Sequence, residues 1–133
     1  IDYGLCEEGS LKLKEISYIN SSAFASGELK HGTISLIEKD TPVMGIITDE
    51  NLALKTISNI KEVHARGAYS LFITSLDIDG DFYDDKIKVP HINNYIDPIL
   101  IVASLQLLAY NVALLKGEDI DKPRNLAKSV TVE

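Results

Sequence analysis

"PVMGIITDENLALKTISNIKEVHARGAYSLFITS" (residues 42–75) decides the fold. It opens on a continuous apolar run of strand length, 42–48, the composition expected of a strand buried on both faces. Asp49 then supplies a cap for a helix in which Ala53, Ile57, Ile60 and Val63 recur on one face. Gly67 ends that helix in the usual C-terminal position, and 69–75 reads as a second buried strand. Two strands joined through a helix pair in parallel, and a parallel sheet needs cover on both faces. Further out, 86–90 is a short third strand, and a long apolar helix follows over 98–115. Upstream, 7–20 reads as a helix with acids in its first turn, and 21–32 as a connection rich in small residues. The fold class this predicts is α/β, a three-layer α/β/α sandwich with a parallel sheet. Such domains usually open with a strand, whereas this chain opens on a helix, so the sheet is expected to lack its first strand.

The chain has 133 residues, enough for one domain with a real core. Residues 1–120 are expected to form its body and 121–133 a polar C-terminal tail. A net charge of −7 argues against nucleic acid and anionic membrane surfaces as partners. Cys6 is the single cysteine, so no internal disulfide can form, and a cytoplasmic location is the simplest expectation. Asp2, Glu7 and Glu8, with no basic residue near them, are unlike a signal peptide. The run 98–115 approaches bilayer-spanning length. Asp97-Pro98 as cap and first-turn proline, with Lys116-Gly117 closing the far end, are instead the signals of a globular helix.

Few stretches carry recognisable chemistry. The acidic loop 75–86 imitates a calcium loop but has Ser75 at its first position and Lys86 at its twelfth, where a bidentate glutamate is required. Cys6 lies beside Glu7 and Glu8, which disfavour a thiolate. His64 and His91 show no partner at metal-ligand spacing, so no metal site and no cofactor are expected. The turn after the first strand, "TDEN" (48–51), is acidic and cannot cradle a phosphate. Lys12 and Glu15 share a helix face, either as a surface ion pair or as a carboxylate base kept ionised by its neighbour. His31, in "GELKHG" (27–32), has no apolar residue beside it and suits proton transfer better than a core. Lys128, in "NLAKSVTV" (125–132), is either an exposed tail lysine or, if docked and desolvated, an amine able to attack a ketone.

Taken together, "EEGSLKLKEISYI", "GELKHG", "VHARGA", "LQLLAY" and "DKPRNLAKSVTVE" resemble, in this order, the C-terminal part of the glucosamine-6-phosphate synthase family. These are the isomerising glutamine–fructose-6-phosphate aminotransferases, and the resemblance covers essentially the whole chain. It implies the second of two sugar isomerase (SIS) domains, working on fructose 6-phosphate and glucosamine 6-phosphate in amino-sugar biosynthesis. Lys128 then matches the Schiff-base lysine, Glu15 the base that moves a proton between C1 and C2, and Lys12 an assisting lysine. His31 matches the residue of sugar ring opening, which the family supplies from the partner subunit of a homodimer. Ala127 joins Lys128 and Glu15 in contact with the sugar. A glutaminase domain and a first SIS domain would complete the parent chain. This sequence departs from the full pattern in lacking the nucleophilic cysteine and the Ser/Thr-rich phosphate loop, and in having Ser22 where an acidic residue is expected. The chain alone is therefore expected to be an inactive fragment.

Overall fold

The computed structural model describes residues 1–125. The elements in chain order are α1 (Asp2–Ser17), two short 3-10 turns (Ser26–His31 and Thr33–Leu36), β1 (Pro42–Ile47), α2 (Glu50–His64), β2 (Tyr69–Thr74), β3 (Asp85–Lys88) and α3 (Asp97–Lys116). The strands form one sheet of order β1-β2-β3, parallel throughout, with Ile46 opposite Ile73 and Ile73 opposite Ile87. Alternation along β1 and β2 divides the core in two. Ile46 and Ile73 point to one face, where Leu5 of α1 and Ile101 and Leu105 of α3 cover them. Ile47 and Phe72 point to the other, against Ala53 and Ile60 of α2. The result is the three-layer α/β/α sandwich expected from the strand–helix–strand pattern.

Helix bounds differ from expectation where tertiary contacts intervene. α1 starts five residues early because Leu5 belongs to the core and the Asp2 carboxylate accepts a hydrogen bond from the Thr48 amide, at the end of β1. It also stops early. Tyr18 adopts a left-handed conformation (φ 55°), and the Ile19 amide closes back onto the Leu13 carbonyl. On α2 the cap is as expected, with the Asp49 carboxylate accepting from the Asn51 amide at 2.8 Å. The helix closes at Ala65, two residues before Gly67, which takes a positive φ of 91° in the turn that follows.

Asp97 is not the cap of α3. It sits inside the first turn, completely buried, and turns back to accept from the amides of Ile92 (2.8 Å) and Asn93 (3.1 Å). Asn93 supplies the helix-entry turn instead, accepting from the amides of Tyr95 and Ile96. At the other end Gly117 does adopt the left-handed closing conformation. α3 is long and apolar enough to cross a membrane by length and composition. In the fold it is the partner of α1: Ile101, Leu105, Ala109 and Ala113 are buried, while Leu107, Leu114 and Leu115 remain exposed. The two helices approach closely at Gly9, where a Cβ would stand 3.1 Å from Leu105.

Candidate functional site

Lys12 and Glu15 lie in the last two turns of α1. Lys12 Nζ is 2.7 Å from Glu15 Oε2 and 3.5 Å from Glu8 Oε1, so one ammonium serves two carboxylates. Their side chains are 29% and 24% exposed for the Lys12–Glu15 pair. The hydrogen bond that Lys12 donates to Glu15 is the main reason the Lys12 pKa is raised; partial burial opposes it, and the charges of Glu15 and Glu8 add to it. Lys12 is therefore a fixed cation in the neutral range, and the acid beside it faces a positive charge. Beside the pair, Lys12 and Ile16 of α1 and Ala103, Gln106, Leu107 and Tyr110 of α3 line a shallow groove. That gives a charged rim on an apolar floor.

His31 ends the Ser26–His31 turn and is exposed. This turn belongs to the opposite layer. Asn59 of α2 donates to the Ser26 hydroxyl at 3.1 Å, and Lys30 pairs with Glu62 of α2 at 2.5 Å. Lys12 and Glu15 are on the α1–α3 face of the sheet and His31 is on the α2 face. One copy of the fold does not bring these three together. Ala127 and Lys128 lie outside the described residues.

Two histidine pairs escaped the sequence reading. His91 Nδ1 is 2.6 Å from Asp97 Oδ2, and His64 Nδ1 is 3.6 Å from Asp84 Oδ2. Neither spacing matches a motif, since the partners meet only because a loop folds back on a helix or strand. Burial alone would raise the Asp97 carboxyl pKa. The amides of Ile92 and Asn93 and the His91 ring outweigh it and hold the group well below the usual carboxylate range. Ser75 faces the same carboxylate, although its buried hydroxyl makes no hydrogen bond of good geometry. The pair ties the 91–97 loop to the start of α3. The acidic loop is likewise tied down, with Asp79 2.6 Å from Lys86 and Asp77 paired with Lys88. Cys6 is partly buried, and burial, followed by the charges of Asp2 and Glu7, pushes its thiol up to about 11. It is a poor nucleophile.

The sequence pattern of the SIS domain matches residues 1–116. The chain belongs to the SIS domain family. Over its whole length this SIS domain is 53% identical to the isomerizing glutamine–fructose-6-phosphate aminotransferase of Bacillus subtilis, of which it spans 22%. The protein of the same name from Staphylococcus aureus is also 53% identical over the full chain, with the same 22% coverage. Among solved structures, the C-terminal domain of the Francisella tularensis glucosamine–fructose-6-phosphate aminotransferase superposes with a TM-score of 0.82 at 38% identity. That superposition covers 90% of this chain and 34% of the other. Glucosamine-6-phosphate deaminase of Thermotoga maritima matches at TM-score 0.74 and 28% identity, over 96% of this chain and 37% of its own. The chain is thus about a fifth of the length of the curated relatives it matches.

Proposed function

We propose that this SIS domain is the C-terminal isomerase part of an isomerising glutamine–fructose-6-phosphate aminotransferase. In that parent enzyme it would help convert fructose 6-phosphate and glutamine-derived ammonia to glucosamine 6-phosphate. The observation that carries this reading is 53% identity over every residue of the chain to relatives bearing that name.

The chemistry assigns one task to each residue. The neutral Lys128 amine adds to the C2 ketone of the open-chain sugar and expels water, giving an imine. Ammonia displaces the lysine from C2 and restores its free amine. Glu15 takes a proton from C1, leaving an enolamine, and returns one to C2, which creates the C1 aldehyde and the C2 amine. Lys12, held 2.7 Å from Glu15, donates a hydrogen bond that fixes that carboxylate in place between turnovers. His31 opens the sugar ring, and its place on the far face of the sheet supports delivery to the site of a second subunit. The sugar, the homodimer, the glutaminase domain and the first SIS domain all belong to this proposal.

The test uses the full-length enzyme, fructose 6-phosphate and borohydride, which reduces an imine to a stable adduct. Mass spectrometry should find the sugar on Lys128. Glu15→Gln should still be trapped yet lose roughly 10²–10⁴ in turnover, the usual worth of one general base. Lys128→Arg should give no adduct, because a guanidinium stays protonated. Adduct on Lys12 or Lys30, with Lys128 unmodified, would refute the assignment.

A further inference from the structure

The end of α1 carries contacts that the catalytic reading does not use. The Ser17 hydroxyl, fully buried, donates to the Ala109 carbonyl at 3.0 Å, and the Lys116 ammonium donates to the Ser17 carbonyl. These two bonds weld the last turn of α1 to the second half of α3. The next residue, Tyr18, is held in the left-handed conformation that non-glycine residues seldom adopt. Its side chain meets the returning C-terminal segment. The Arg124 amide donates to the Tyr18 phenol oxygen at 2.8 Å, and the Arg124 guanidinium lies over the Tyr18 ring, 4.0 Å from its centre. The Lys116 ammonium is 6.0 Å from the same ring. Residues 119–122 turn tightly toward this point, with the Asp119 carboxylate accepting from the amides of Asp121 and Lys122. Pro123 stiffens the step into Arg124.

We infer that Tyr18 and Arg124 form a clasp that fixes the root of the C-terminal tail against the end of α1, making Tyr18 a positioning residue for Lys128. The inference rests on the proposed Schiff-base role of Lys128. Its physical basis is tether length. Lys128 follows Arg124 by four residues, a length of chain that spans at most roughly 14 Å when fully extended. Glu15 lies one turn of α1 before Tyr18. Without the clasp the free tether would start at Gly117, eleven residues before Lys128, and could reach roughly 40 Å. Effective concentration falls as about the −3/2 power of tether length, so shortening eleven residues to four raises it roughly fivefold. A guanidinium over an aromatic face, with a backbone hydrogen bond to the same ring's oxygen, is a two-point contact that a freely moving tail would not maintain.

The experiment uses the full-length enzyme and its Tyr18→Leu, Tyr18→Phe and Arg124→Ala variants. The first readout is the rate of borohydride-trapped fructose 6-phosphate adduct at Lys128 under saturating sugar. The second is native-state trypsin cleavage after Arg124, in the wild type and the two Tyr18 variants. Tyr18→Leu should slow trapping roughly fivefold and speed cleavage, with KM for the sugar and the melting temperature unchanged. Tyr18→Phe, which keeps the ring and loses the acceptor, should fall between wild type and Tyr18→Leu. Arg124→Ala, a change at an exposed position, should slow trapping without affecting folding. Wild-type trapping rates in Tyr18→Leu and Arg124→Ala, or unchanged cleavage in Tyr18→Leu, would overturn the clasp. If the wild-type enzyme gives no adduct at Lys128, the functional reading fails and the positioning role falls with it. Accelerated cleavage in Tyr18→Leu would then still report the contact itself, which separates the two failures.

Discussion

Gly45 sits in the middle of β1 with its Cα hydrogens toward α2, and replacing it with alanine tests how closely that helix lies on the sheet. A Cβ there would stand 2.3 Å from Ile60 Cδ1, 3.0 Å from Ile60 Cγ1 and 3.7 Å from Phe72. Carbon atoms prefer separations of about 3.5–4.0 Å, so the Ile60 methyl must move by about 1.2 Å or more. Ile60 is only 5% exposed and packs with Ile47 and Phe72, both fully buried, so it has little free space to enter. Forcing it off its rotamer costs about 0.5–1.5 kcal/mol. Overpacking of this kind costs about 1–3 kcal/mol in all. Restricting the unfolded chain returns about 0.4–1 kcal/mol. Gly45→Ala should therefore destabilise the domain by about 1–2 kcal/mol, lowering a urea midpoint by about 1 M. Ile60→Val deletes the offending Cδ1 and by itself costs about 0.5–1.5 kcal/mol. The double variant should be about as stable as Ile60→Val alone, a favourable coupling of about 1 kcal/mol. Losses that add to within about 0.5 kcal/mol would show that the Ile60 methyl is not what the new Cβ meets, and the packing argument would be wrong.

Two further outcomes are expected. In the full-length enzyme, His31→Ala and Lys128→Ala chains should each be inactive, yet a random mixture should recover about a quarter of wild-type activity, since about half the dimers carry one intact site. Activity at the background of the separate variants, with mixed dimers demonstrated, would rule out a shared site. Asp97 should shape the acid limb of stability. Its folded-state pKa lies below the ordinary value of 3.8, so its contribution is fully present above about pH 4 and lost as pH falls through the folded-state value. Urea midpoints measured from pH 6 down to pH 2.5 should start lower for Asp97→Asn and fall less steeply below pH 4. Parallel curves for the two proteins would remove Asp97 from the account.

The strand–helix–strand core was legible in the sequence because its signals are local. An unbroken apolar run, a capping aspartate and a 3.6-residue repeat act within a few residues, and they place β1, α2 and β2 to within one or two positions. The Lys12–Glu15 pair was legible for the same reason, being one helical turn apart. Element ends were less so. The start of α1 depends on Leu5 entering a core shared with Ile101 and on Asp2 reaching Thr48, neither of which is nearby in the chain. Packing alone decided the rest. It put His31 on the opposite side of the sheet from Glu15, buried Asp97 with its carboxylate turned toward His91, and set Arg124 on a tyrosine 106 residues away. Periodicity tells which face of an element is covered. Which side chains meet across that cover depends on the separations and angles of the layers, and these exist only once the chain has folded.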